Sequence, residues 1–362
     1  MESGYRQRAT AARNSALSAT GPRQRTGGES PGVRSPESAG PEGRPCRIVS
    51  VVFFVREWYH RRVASRTRSL FAHVPYPLMD TLDYQGDPGL FGPDSVTWTV
   101  MGDPATFVGG IRALLIQSAH PEVVAGVADH SRYEDDPLGR LSRTSAYVTA
   151  TAYGAMPEVE RAIDVVRRTH RPIKGVSHRG RPYTADDPPL SAWVHNTLTD
   201  SFLVSHQTYG PEPLTADDAD RFVAEQTRVG ALLDTDPMPD TAEALASWLI
   251  DHLDVASSPG MKEAMIFLRS PPLSPGVKIA YRILYQAAVA TIPTRLRRVL
   301  GVHRHLGART IGRLLIRFLR WTLGGSPSWQ LALIRVGAEV PEGRFLTKPV
   351  IPPPGWAPRR GE

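Results

Sequence analysis

The sequence predicts an all-α protein, a single large helical domain flanked by a disordered N-terminal tail and an extended C-terminal tail. Three observations carry this. Apolar residues recur at three- and four-residue spacing from about residue 104 to 323. Several of these runs open on a proline, where its missing N–H costs nothing. Period-2 alternation of any length is absent, which leaves strands a minor part.

The elements follow in order. Residues 1–46 are rich in Arg, Ser, Gly, Pro and Ala and hold almost no large apolar side chains. Such a segment cannot bury enough surface to offset its ordering entropy, so a disordered tail is expected. Residues 47–71 read as a basic amphipathic helix, and 74–103 as a loop broken by Pro75, Pro77, Gly86, Pro88, Gly89, Gly92 and Pro93. Asp103-Pro104 opens a helix to about His120. Pro121, Pro137 and Pro157 open three more, ending near Asp129, Tyr153 and Arg171. A turn-rich connector, 175–189, leads into a long helix over 190–209. Thr215 and Thr241 cap two further helices, and 276–323 holds two or three. The helical domain is expected over 47–330, with 331–362 a Pro-rich tail.

Charge narrows the function classes. The net charge is +7 over 362 residues and the pI 9.7, which alone would suggest nucleic acid or an anionic surface. The distribution argues otherwise. Residues 1–71 carry a net +8, residues 72–275 a net −13, and residues 276–362 a net +12. The middle of the chain is acidic, so no nucleic-acid partner is expected. No apolar run reaches the ~18–20 residues that span a bilayer. Ile48–Val55 is short, and some 46 mostly polar or small residues precede it. A cytoplasmic protein without signal peptide or transmembrane span is the expectation. The single thiol, Cys46, lies in a Pro/Gly/Arg-rich stretch and builds no disulfide framework.

Several chemistries lack their motifs. There is no His-Glu-x-x-His, no Cys pair and no Walker loop. One Glu-x-x-His, Glu57 to His60, falls short of the two a di-iron bundle needs. Gly28-Glu-Ser30-Pro-Gly32 has the hydrolase-elbow spacing but no strand before it or helix after it. Gly109-Gly110 at a helix start reads as close helix packing or a backbone approach to a ligand. His170 ends an apolar stripe formed by Val159, Ile163 and Val166; His120 and His195 also lie on or beside apolar helical faces. Taken singly, each is more often a packed core histidine than a ligand. Arg140, Arg143, Thr144 and Tyr147 fall on one helix face. That row either faces solvent or, where buried, needs an anionic partner.

The order of these residues resembles a known family. Gly109-Gly110-Ile-Arg112-Ala-Leu-Leu-Ile-Gln-Ser-Ala-His120-Pro121 is followed by Gly126-Val-Ala-Asp129-His130-Ser131 and by Asp136-Pro137-Leu-Gly139-Arg140-Leu-x-Arg143-Thr144. Then come His170-Arg-Pro-Ile-Lys-Gly175, Tyr183-x-Ala185-x-Asp187-Pro188 and Leu190-x-x-Trp193-Val-His195-x-Thr197-Leu. Together, over roughly 85–320, they resemble the MpaB-type and latex-clearing-protein (rubber oxygenase) domain.

That resemblance implies a haem b-dependent oxygenase with a haem-binding slot between helices. It makes His170 the proximal ligand to the haem iron and Arg140, Arg143 and Thr144 the catalytic row on the distal side. His120, His195 and Arg112 become cofactor contacts, and His130 matches a family position of less defined role. The departure is Arg143 where the family carries a Lys that can serve as sixth ligand; a guanidinium stays protonated and cannot ligate iron. The implied partners are O2 and a small apolar, unsaturated, isoprenoid-like substrate, with no redox partner named by the sequence. A member of the family that binds haem or lipid without catalysis is the alternative. The helix over 308–323 aligns Arg309, Arg313, Arg317 and Arg320. It is read first as a cover on the domain, its Arg face wet or paired, and second as a peripheral contact to an anionic membrane.

Overall fold

The computed structural model describes residues 47–131 and 136–340. Its elements are α1 (Arg47–Phe71), a 3-10 turn (Thr81–Asp83), α2 (Val96–Met101), α3 (Thr106–Gln117), α4 (Pro121–His130), α5 (Pro137–Tyr153), α6 (Met156–His170), β1 (Lys174–Val176) and β2 (Pro182–Thr184). After them come α7 (Pro188–Tyr209), α8 (Ala216–Ala231), α9 (Ala242–Asp251), α10 (Pro259–Arg269), α11 (Pro275–Val289), α12 (Thr294–Leu300), α13 (Ala308–Leu323) and α14 (Pro327–Arg335). The fold is all-α, with one antiparallel hairpin pairing Lys174 with Thr184 and Val176 with Pro182. The expected tail over 1–46, Cys46 and Ser30 lie outside the described residues, as does the chain beyond 340.

Local chemistry sets the boundaries. Proline opens α4, α5, α10, α11 and α14. The Asp136 carboxylate accepts from Gly139 N–H at 2.9 Å, Thr215 Oγ1 from Asp218 N–H at 3.1 Å and Thr241 Oγ1 from Ala244 N–H at 3.2 Å. Each satisfies one of a helix's orphan amides.

The core is built on α3 against α7, the most extensive helix pair. Gly109 permits it: a Cβ there would lie 2.6 Å from the Phe202 ring. Close helix packing is therefore the use of that glycine. Val108, Leu115 and Ile116 of α3 and Trp193, Phe202 and Leu203 of α7 are buried in this core, with Phe222, Leu245, Leu249, Leu296 and Ile316 from later helices.

Two expectations about boundaries change. The segment 74–103 contains a helix, α2, whose first amides, Val96 and Thr97, donate to the Glu225 carboxylate of α8 at 3.2 and 2.7 Å. Helix α14 runs through the expected 330/331 boundary. Ala332 and Leu333 are core, and Arg335 is fully buried, donating to the Thr81 hydroxyl and the carbonyls of Asp87 and Tyr153. The domain extends into the segment 331–340, where a Pro-rich tail was expected.

Candidate functional site

Helices α5, which carries Arg140, Arg143, Thr144 and Tyr147, and α6, which ends in His170, pack against one another. Along the row, Arg140 donates to Ser131 Oγ at 3.1 Å. Arg143 pairs with Asp136 at 3.2 Å on the exposed surface, and Thr144 is also exposed. Tyr147 turns inward; burial pushes its phenol well above the usual range.

On α6, Val159 and Ile163 are buried, and burial decreases toward the C-terminus. The His170 side chain is 37% exposed, with Nδ1 3.8 Å from Asp186 Oδ1. Partial desolvation lowers its pKa, and the Asp186 charge opposes that shift. One turn earlier, Arg167 donates through Nε and an Nη to the Leu232 carbonyl at the end of α8. The imidazole thus sits at the rim of the helix packing.

A cavity of about 20 Å³ lies among α2, α5, α7 and α8. Its lining includes Phe91, Met101, Tyr147, Leu198, Phe202 and His195. His195 donates its ring N–H to the Gln226 carbonyl at 2.9 Å, and burial lowers its pKa to about 4. The ring is therefore neutral near pH 7, with Nε2 protonated and Nδ1 bearing the lone pair.

The other expected site residues lie elsewhere. Arg112 is sealed between α3 and α7, donating to Asp200 Oδ2 at 2.5 Å and Ser201 Oγ at 2.9 Å, with Nε left without a partner. His130 Nε2 meets the Lys174 carbonyl at 3.1 Å, tying α4 to the hairpin. His120 belongs to a separate cluster. It is 3% exposed, its ring centroid is 5.5 Å from that of His252 and 5.7 Å from Trp193, and its Nδ1 lies 3.4 Å from Glu122 Oε2. His120, His252 and Asp254 are the group among the described residues whose donor atoms could hold a metal ion.

Sequence reasoning passed over Asp186, Asp200, His252 and Asp254. Asp186 falls at an unspecified position of the Tyr183–Pro188 motif. His252-Leu-Asp254 ends an apolar helix, a visible but short signal. Asp200 could have been found as the acidic residue on α7 needed by a buried Arg.

His170, at the end of α6, offers an imidazole of the kind that ligates a haem iron. The Asp186 carboxylate lies 3.8 Å from its Nδ1, beyond hydrogen-bond length but on the side where such a ligand usually finds its orienting partner. Space is the other requirement. A ligand pocket is on the order of 300–1,000 Å³, and the cavity beside Tyr147 and His195 takes only a water-sized occupant, so a porphyrin requires these helices to part.

No curated protein and no solved structure matches this chain. The family described as "ER-bound oxygenase mpaB/B'/Rubber oxygenase, catalytic domain" matches residues 98–321, more than half of the chain and the span from α2 to α13. With the helical architecture and the order of its motifs, the chain belongs to this family of oxygenase-type catalytic domains.

Proposed function

We propose that this protein is a haem b-dependent oxygenase that cleaves or oxygenates an apolar, unsaturated, isoprenoid-like substrate with O2. The supporting observation is the His170–Asp186 pair: an imidazole at a helix end with Nδ1 toward a carboxylate and Nε2 left for a metal. When bound, a haem iron supplies the dioxygen chemistry. The chain's own residues supply orientation and charge. Asp186, 3.8 Å from His170 Nδ1, would orient the ring by closing to a hydrogen bond. Arg140 and Arg143 carry permanent positive charge suited to carboxylates of a cofactor or to developing negative charge on oxygen. The Thr144 hydroxyl can donate or accept. Tyr147, Leu198 and Phe202 line a narrow cavity with the kind of apolar surface that keeps water from a reactive centre. Cleavage of a C=C bond by O2 to two carbonyls places both oxygen atoms in the products and needs no external reductant.

The experiment is reconstitution of the full chain with haem, followed by absorption spectroscopy and oxygen uptake on a polyisoprenoid. A Soret band is expected, abolished in His170→Ala and weakened about 10–100-fold in haem affinity in Asp186→Asn, the usual effect of removing a partner that orients a ligand. A colourless protein under saturating haem overturns the reading. The Asp136–Arg143 pair, at the position where the family has its Lys, favours a second reading, a haem- or lipid-binding member without turnover. Colour without oxygen uptake would select it.

We also propose that α13 contacts a lipid surface, from which such a substrate would come. Its outer face exposes Ile311, Leu314, Phe318 and Trp321 beside Trp58 and Tyr59 of α1.

A further inference from the structure

We propose that His120, His252 and Asp254 form a second site, for a divalent transition-metal ion of the Zn(II)/Fe(II) class. It is distinct from His170. The site joins two segments of the fold: His120 caps α4, while His252 caps the C-terminus of α9 and Asp254 follows two residues on, in the turn before α10. Their donor atoms lie within 4.8 Å of one another.

Three observations point to a ligand. First, His120 is almost fully buried, yet its Nδ1 makes no hydrogen bond; Glu122 Oε2 stands 3.4 Å away outside bonding geometry. A buried polar atom without a partner calls for an ion or a water. Second, His252 Nδ1 accepts only a long bond, 3.3 Å, from Asp254 N–H. That long bond engages the lone pair only weakly, and an ion could take it at small loss. Third, the surroundings are built as metal sites are. The Trp193 and Trp248 rings stand 4.8 and 4.7 Å from the His252 ring and wall the cluster with apolar surface. The carboxylates are held from outside: Arg181 donates to Asp254 Oδ1 at 2.5 Å, and Arg179 and Ser177 hold Glu122. Ligating carboxylates are commonly hydrogen-bonded in this way.

The donor chemistry selects the ion. Two neutral imidazoles and a carboxylate suit borderline metals; Ca(II) and Mg(II) want six or more oxygens, and soft Cu(I) wants sulfur. Three protein ligands leave at least one position open, the pattern of a reactive site rather than a closed structural one. Tetrahedral Zn–N bonds of about 2.0–2.1 Å put ligand atoms about 3.3 Å apart. The donors must therefore close by roughly 1.5 Å, a movement open to His252 and Asp254, which are only half-buried at a helix end and in a turn. Arg179 and Arg181 offset the carboxylate charge and keep the affinity below that of an all-anionic site.

The test uses full-length protein stripped with chelator and titrated with Zn(II) and, as a spectroscopic probe, Co(II). Bound metal is counted by mass spectrometry and the Co(II) visible bands are recorded. About one equivalent per chain is expected, with Co(II) bands of four- or five-coordination. Asp254→Asn and His252→Ala should each weaken binding at least tenfold while keeping the wild-type helical circular dichroism; two variants guard against one that fails to fold. His303→Ala, an exposed histidine outside the cluster, should bind as wild type. His170→Ala should also retain the metal, which separates this site from the haem proposal. Metal below a tenth of an equivalent, or full binding in the Asp254 and His252 variants, overturns it.

Discussion

Ionisable side chains reach the interior here under different constraints. Arg112 is 1% exposed and paired with Asp200. Removing one partner strands the other's charge, so Asp200→Asn is expected to cost about 3–5 kcal/mol by denaturant unfolding. An apolar double replacement, Arg112→Met with Asp200→Leu, should recover most of that loss, because an ion pair in a core roughly breaks even against packed hydrophobic residues. Failure of the double variant to recover would mean that Arg112 serves more than this pair. His195 is the pH-sensitive case. Its pKa is lowered to about 4 by burial, whereas the unfolded chain takes up this proton near 6.5. Between those values the unfolded state binds more protons, so stability is full above about pH 6.5 and falls as pH drops toward 4. His195→Gln, which keeps a donor for the Gln226 carbonyl, should flatten that loss by on the order of 2–3 kcal/mol in unfolding free energy measured across the window. An unchanged pH slope would assign the ring's neutrality to something other than burial.

Helices were legible where their own residues define them. The Pro137 start and Tyr153 end of α5, and the Thr215 and Thr241 caps, follow from signals within a turn of each boundary. α2 was not, because its N-terminus is completed by Ser95 together with Glu225 from α8, and the glycines and prolines around it outweigh six helical residues. α10 and α14 each open on a Ser-Pro pair, a start signal as local as those caps; in α14 the prolines that follow masked it. The candidate site shows the same division. The α5 row and His170 were visible as periodic positions, but Asp186 and the His120–His252–Asp254 group depend on tertiary meetings that no local spacing encodes. The α3–α7 crossing tests packing directly. Gly109→Val would put side-chain atoms into the Phe202 ring and main chain, where even a Cβ stands at 2.6 and 3.2 Å. A loss of about 1–3 kcal/mol in thermal or urea unfolding is expected. Gly110→Ala, one residue on and facing open space, should be near neutral or stabilising.

At the scale of the molecule, the charge asymmetry finds its physical expression in α13. Three of its four arginines turn toward the domain: Arg309 and Arg313 donate to the carbonyls of Ala290 and Thr208, and Arg320 grips Asp103 and the Tyr209 carbonyl. The helix is thus held on the domain by one ion pair and by main-chain carbonyls. The cost is that the apolar row faces outward, with Leu314 61% exposed and Ile311 51%. No helix among the described residues is long and apolar enough to cross a membrane, so a lipid contact would be interfacial. The aromatic pairs of Tyr59 with Phe318 and Trp321 place amphipathic rings at the edge of that row, the composition favoured at a headgroup boundary. Flotation with liposomes is the measurement. Wild-type protein is expected to float with both neutral and anionic vesicles, more strongly with anionic ones because Arg61 and Arg317 flank the patch on its exposed side. Leu314→Glu with Ile311→Glu should abolish flotation and leave the unfolding midpoint nearly unchanged, since both side chains are more than half exposed. Flotation that depends on anionic lipid alone and survives the double variant would trace the attraction to charge and remove the apolar row from the account.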